Sequence, residues 1–157
     1  GDWFVKRCGF QKVAIASNLK AGLAAMGLRE PESRELKEAN VPGFGFSWRH
    51  AAQALGTEWG RNLDEDLWLK LAELRIKQLQ ALGTPTVVTD IRFENEATMI
   101  RRLGGCLVHI QGRKVELGNL GGHASEQGIV VARGDTILHN DGSIQELESK
   151  LEGLIYG

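Results

Sequence analysis

Short apolar runs and helical stripes alternate along this chain. Asp2-Trp3-Phe4-Val5-Lys6-Arg7-Cys8 mixes apolar and charged residues at helical spacing, and Gly9 follows as a C-cap glycine would. No N-cap precedes this helix, so the pattern predicts a parent sequence that continues upstream. Val13 to Ala16 reads as a short buried parallel strand. Ser17 is expected to cap a helix from Asn18 to Met26, stopped by Gly27. Arg29 to Val41 is strongly charged and predicts a short surface helix, followed by the glycine-punctuated loop Pro42 to Phe46. Ser47 caps the next predicted helix, where Trp48, Ala52, Leu55 and Trp59 form a stripe facing a core. Gly60-Arg61-Asn62-Leu63 is expected to break it. Asp64 then caps a long helix to Leu82, with Leu67, Leu71 and Leu74 on one face.

The second half repeats the alternation. Thr86 to Thr89 is a β-branched strand that stops at Asp90. Phe93, Ala97 and Ile100 mark a helix closed by Gly104-Gly105, and Cys106 to Ile110 is another strand. Residues 111–134 form a glycine-rich, polar excursion, and long excursions of this kind are often functional. Thr136 to Leu138 is a last short strand. Asn140-Asp141-Gly142 turns, Ser143 caps, and Ile144, Leu147, Leu151 and Leu154 stripe a final helix. The pattern predicts a single α/β domain over 1–157 with a mainly parallel sheet. Ligands of such sheets bind outside the carboxyl ends of the strands. Three of those ends carry polar groups: Ser17 and Asn18, Asp90 and Arg92, and Asn140 and Asp141.

Composition narrows the classes. Of 157 residues, 42% are hydrophobic and 25% charged, as in ordinary globular proteins. Nineteen Lys and Arg against twenty Asp and Glu give a net charge of -1, which disfavours a non-specific nucleic-acid binder. No apolar run approaches the roughly 18 residues of a membrane span, and no signal segment opens the chain. Cys8 and Cys106 cannot build a disulfide framework and are read as buried thiols of a cytosolic protein.

Several segments combine residue types that do chemistry. Asp90 at a strand end can hold a metal ion with its water, and Arg92 two residues on can neutralise phosphate oxygens. Read locally, the same pair is an N-cap aspartate beside a solvated arginine. In Gly56-Thr57-Glu58-Trp59-Gly60-Arg61 the tryptophan can stack a base while the arginine grips a phosphate, yet Trp59 alone is simply the end of a core stripe. His123-Ala124-Ser125-Glu126 lies in the excursion, where a lid over a site is one reading and a metal pair another. Two ligands are too few for a structural metal site. Trp3, Trp48 and Trp68 are assigned to packing, and His50, His109 and His139 to structural or solvated roles.

In this order the segments resemble the bacteriophage deoxynucleoside monophosphate kinases, P-loop proteins of the nucleoside-monophosphate-kinase fold. The resemblance runs along nearly the whole chain. It rests on Gly9 to Lys20, Leu55 to Arg61, Val88 to Glu96, His123 to Glu126 and His139 to Ser143. A more distant likeness to animal phosphomevalonate kinases covers the Asp-Ile-Arg segment, the Ser-Glu pair and the final turn. The implied fold is a parallel sheet flanked by helices. The implied reaction is transfer of the γ-phosphoryl of ATP to a deoxynucleoside 5′-monophosphate, with ATP and Mg²⁺ as cofactors. Arg61 would then grip the acceptor phosphate, Trp59 would shape that pocket, and Ser17 and Lys20 would face the monophosphate. Asp90 would be the acidic group near Mg²⁺ and Arg92 would sit by the phosphates. Arg113 with His123, Ser125 and Glu126 would belong to the lid, and Asn140 and Asp141 would line the adenine side. The resemblance further implies a small-molecule dNMP partner, a bacterial host cytoplasm, no nucleic-acid polymer and no membrane, with a homodimer left open.

One family feature is missing from these residues. The family opens with a strand and a glycine-rich phosphate loop ending in Gly-Lys, directly before the helix that Asp2 to Arg7 represent, and no G-x-x-x-x-G-K-[ST] occurs here. The first strand and the Walker A loop are therefore expected upstream. Two other classes stay open at this point: a non-catalytic nucleotide-binding protein that kept the acceptor pocket, and a small-molecule kinase of the phosphomevalonate type.

Overall fold

Two pairs of parallel strands organise the chain, each in its own compact unit, Gly1–Asp90 and Ile91–Gly157. A computed structural model describes residues 1–112 and 129–156.

In the first unit, β1 (Gln11–Ala14) pairs in parallel with β2 (Thr86–Thr89), with Val13 opposite Val88. The strand predicted from Val13 begins two residues earlier because the amide of Gln11 already donates to Pro85 O. Helix α1 (Asp2–Cys8) ends on Gly9, whose φ of 69° is left-handed. Helix α2 (Ser17–Ala25) starts one residue before the expected position. Ser17 is its first residue rather than its cap, and the Ser17 hydroxyl accepts from the Ala14 amide. In the charged stretch, helix is confined to α3 (Arg34–Glu38), capped by Ser33.

Helix α4 (Trp48–Gln53), capped by Ser47 as predicted, runs straight into a π-helical segment, Ala54–Trp59, and then into α5 (Gly60–Leu63). The segment 60–63 therefore continues the helical path instead of breaking it. Wider π turns shift the phase of the 3.6-residue stripe. Trp48 is buried at the start of that stripe, while Trp59 ends 53% exposed at the surface, against expectation. Gly60 is buried against Trp68, where an added Cβ would lie 2.6 Å from the indole nitrogen.

Helix α6 (Leu67–Ala81) begins three residues after the predicted cap, since Asp64 forms the preceding turn by accepting from the Asp66 amide. Its buried face is Ala72, Ile76 and Leu79, packed on α2 and the two strands, and Leu74 is exposed. Leu67 and Leu71 of the predicted stripe are half-buried.

In the second unit, Phe93 occupies the N-cap position of α7 (Glu94–Arg102), not Asp90, and Glu96 Oε2 receives the Arg92 and Phe93 amides. Strands β3 (Val108–Gly112) and β4 (Thr136–Asn140) pair in parallel from Val108 opposite Thr136 to Gly112 opposite Asn140. Each extends two residues beyond its predicted end, so Asn140 closes a strand rather than opening a turn. Helix α8 (Ile144–Tyr156) carries a reciprocal cap, in which the Ser143 amide donates to Glu146 and the Glu146 amide to Ser143 Oγ. Of its predicted stripe only Leu151 is buried; Leu147 is half-buried, and Ile144 and Leu154 are exposed. Ala97, Met99, Ile100, Leu107 and Leu138 complete that core. Cys8 is half-buried and Cys106 exposed, so the expectation of two buried thiols does not hold. Among the described residues no helix is long and apolar enough to cross a membrane.

Candidate functional site

A cleft of ≈ 440 Å³ opens in the first unit between the start of α2, α3, α4 and the π-helical segment. Lys20 and Arg61, chosen from the sequence, both line it, together with Lys37, Arg49 and Glu30. Local sequence explains how they arrive there. Lys20 is in the first turn of α2, and the Ser33 cap starts α3 so that Lys37 follows one turn later. Gly56 lets the π-helical segment approach Leu19, where an added Cβ would meet Cδ1 at 2.8 Å. The Trp68 indole donates to Gly56 O at 2.8 Å, fixing that segment against α6.

The cleft is electropositive. Four cationic side chains face one carboxylate, that of Glu30. Glu30 Oε1 receives Lys37 Nζ at 2.7 Å and Oε2 lies 2.9 Å from Lys20 Nζ. The hydrogen bond from Lys37, followed by that from Lys20, holds the Glu30 carboxyl below its ordinary range. Arg49 pairs with Glu38. Arg61 is exposed and has no ion-pair partner among the described residues. A net-positive cleft with aromatic walls can bind an anionic ligand that bears a ring.

Not every expected residue joins it. Ser17 is engaged with the Ala14 amide and does not line the cleft. Trp59 borders a separate apolar groove of ≈ 470 Å³ with Leu23, Met26, Leu28 and Leu55, and its ring leans on Trp68 at 6.5 Å. The aromatic walls of the cleft are Trp48 and Trp68, both assigned from sequence to packing alone. Glu30 and Lys37 were also missed, because a charge run reads as a solvated face, and so was Arg49, a lone cation beside the Trp48 stripe.

Asp90 follows β2 with a φ of 66°, the one non-glycine residue with positive φ among the described residues. Left-handed backbone is uncommon outside glycine, and such outliers concentrate at functional sites. No group of three or more His, Cys, Asp and Glu that could enclose a metal exists among the described residues. That does not conflict with Mg²⁺, which needs only one or two carboxylates when phosphates and water supply the rest.

In the second unit, Arg92 precedes α7, and Asn140 and Asp141 lie at the end of β4. Lys150 Nζ donates to His139 O at 2.7 Å and lies 3.5 Å from Asp141 Oδ1. The Asp141 carboxyl is held low, first by a backbone hydrogen bond and then by Lys150. An unforeseen network joins Asp135 to Arg101, His109 and the Ala132 amide, at 2.7, 3.0 and 2.9 Å. Arg101 also pairs with Glu94 and donates to Val130 O, so residues 130–135 are tied to α7. Its arginine holds the Asp135 carboxyl far below the usual range. Arg113, His123, Ser125 and Glu126 lie outside the described residues.

A parallel α/β layout with a cationic cleft beside the first helix after a strand places positive charge where such folds present their ligand sites. The comparison with known families is specific: the family described as deoxynucleotide monophosphate kinase matches residues 10–151, and the chain belongs to that family. It is 32% identical over 149 residues to the deoxynucleotide monophosphate kinase of Escherichia phage RB69, covering 91% of this chain and 58% of the relative. It is 31% identical over 112 residues to the enzyme of the same name from Enterobacteria phage T4, covering 70% and 46%. The chain thus spans about half the length of the curated relatives it matches.

Proposed function

We propose that the protein is an ATP-dependent deoxynucleoside monophosphate kinase of P-loop type, and that the cleft of the first unit is its acceptor site. The observation that carries this reading is the convergence of Lys20, Lys37, Arg49 and Arg61 on one cleft walled by Trp48 and Trp68. A 5′-phosphate is close to dianionic at neutral pH, and the excess of cations over the single carboxylate matches it. The cleft volume lies within the range of small-ligand sites. Two tryptophans favour an acceptor that carries a base over a short branched-chain phosphate.

In the reaction an oxygen of the acceptor phosphate bonds to the γ-phosphorus of ATP, the bond to the β-phosphate oxygen breaks, and the deoxynucleoside diphosphate and ADP leave. Catalysis of this kind is mostly positioning and charge neutralisation. Arg61 offers a planar fork to two phosphate oxygens, and Lys20 adds a point charge. Asp90 would hold Mg²⁺, which when bound supplies positive charge to the phosphate oxygens. By the resemblance, Arg92 would neutralise phosphate charge and Asn140 and Asp141 would line the adenine side. The setting is the cytoplasm of a phage-infected bacterium.

A coupled assay of ADP release across the four dNMPs tests the reading. Joined to the upstream phosphate loop that the resemblance implies, the protein is expected to turn over at least one dNMP and to form the matching diphosphate, whereas these 157 residues alone are expected to bind dNMPs. Binding of dNMPs without any turnover in the loop-bearing protein would favour a non-catalytic binding protein instead.

A further inference from the structure

The charged segment after α2 contributes more to the cleft than a solvated surface. We propose that Lys37 is a further ligand for the acceptor's 5′-phosphate, a role that rests on the cleft of the first unit being the acceptor site. Three observations carry it. First, Lys37 lines the same cleft as Arg61 and Lys20 although it comes from a different helix, α3. Secondly, its side chain is only 27% exposed, and its ammonium lies 5.7 Å from the centre of the Trp48 ring. Trp48 is itself buried and fixed by the bond from its indole nitrogen to Leu28 O at 3.1 Å, so the lysine rests on a rigid wall. Thirdly, Lys37 and Lys20 share one carboxylate, with 2.7 Å from Lys37 to Glu30 Oε1 and 2.9 Å from Lys20 to Oε2.

Two ammonium groups on a single carboxylate keep one positive charge in excess. Each ammonium has three donors and Glu30 takes only part of that capacity. A phosphate that enters beside Arg61 meets donors already turned towards the cleft, and Glu30 keeps them there in its absence. Arg49 is less suited, because Glu38 balances its charge one to one, whereas Lys37 and Lys20 share a single carboxylate. A lysine also suits the task chemically, since it binds phosphate as a point charge and needs no fixed fork.

Calorimetric titration of the full chain with a dNMP, and separately with the matching deoxynucleoside, reads this directly. Lys37→Gln is expected to weaken dNMP binding about tenfold or more and to leave the deoxynucleoside unchanged, as loss of a charge-assisted hydrogen bond predicts. Lys37→Arg keeps the charge and is expected to retain most of the affinity. Equal losses for dNMP and deoxynucleoside would show Lys37 acting through the shape of the cleft, and would overturn the proposal. Unchanged dNMP binding in Lys37→Gln beside a loss in Arg61→Ala would overturn Lys37 and leave the acceptor site standing. Unchanged binding in both would remove the acceptor site itself.

Discussion

Asp90 joins backbone strain to a charge at one residue. Its left-handed φ of 66° is easy for glycine, tolerable for asparagine and unfavourable for alanine. Asp90→Asn is therefore expected to fold with nearly unchanged stability, whereas Asp90→Ala should lose about 1 kcal/mol in urea unfolding. With folding intact, Asp90→Asn should weaken Mg²⁺-ATP binding more than dNMP binding; equal losses would leave Asp90 a structural role only. The residue was legible in the sequence because a β-branched run stops at it. Its backbone conformation was not, since the same letters fit an N-cap, a position that Phe93 takes. Arg61 was legible through its motif and does line the cleft. Its neighbour Trp59, at the end of the π-helical segment, borders the apolar groove, and Trp68 of α6 lines the cleft in its place.

Elements were legible where caps and periodicity agreed. Ser47 and Ser143 cap α4 and α8, and the glycine after α1 ends it as expected. Removing the Ser47 hydroxyl by Ser47→Ala is expected to cost about 1 kcal/mol by chemical denaturation, the usual worth of such a cap. The stripe that begins at Trp48 failed as a guide because the π-helical segment changes its phase, and no residue type announces such a segment. The glycines of the Gly56–Arg61 motif are packing residues. Gly60→Ala would drive a methyl into the Trp68 indole and is expected to destabilise by about 1–3 kcal/mol. Since Trp68 also lines the cleft, this variant should raise the acceptor KM as well; unaltered stability would show that the α5–α6 corner gives way freely.

Across the whole chain, the alternation of strands and helices predicted a parallel α/β protein, and both strand pairs are parallel. Hidden from that reading was the ion network of the second unit, because Glu94 and Arg101 lie on α7, His109 on β3 and Asp135 just before β4, and only the folded unit gathers them. The Asp135 side chain is 3% exposed, and Arg101 keeps it ionised. Its folded pKa lies below its unfolded value of about 3.9, so its contribution to stability is complete above that value and is lost as pH falls below it. Asp135→Asn is accordingly expected to lower the melting temperature at neutral pH and to flatten the acid limb of the stability profile. An acid limb parallel to that of the parent would assign acid unfolding to other carboxylates. The central claim, that the cationic cleft of the first unit receives the acceptor phosphate, is tested most directly by the steady-state kinetics of Arg61→Ala in the full-length parent that carries the upstream phosphate loop. The KM for the dNMP is expected to rise at least about tenfold while the KM for ATP holds, as loss of a charge-assisted phosphate contact predicts. A rise in the ATP KM alone, or no change in either, would contradict it.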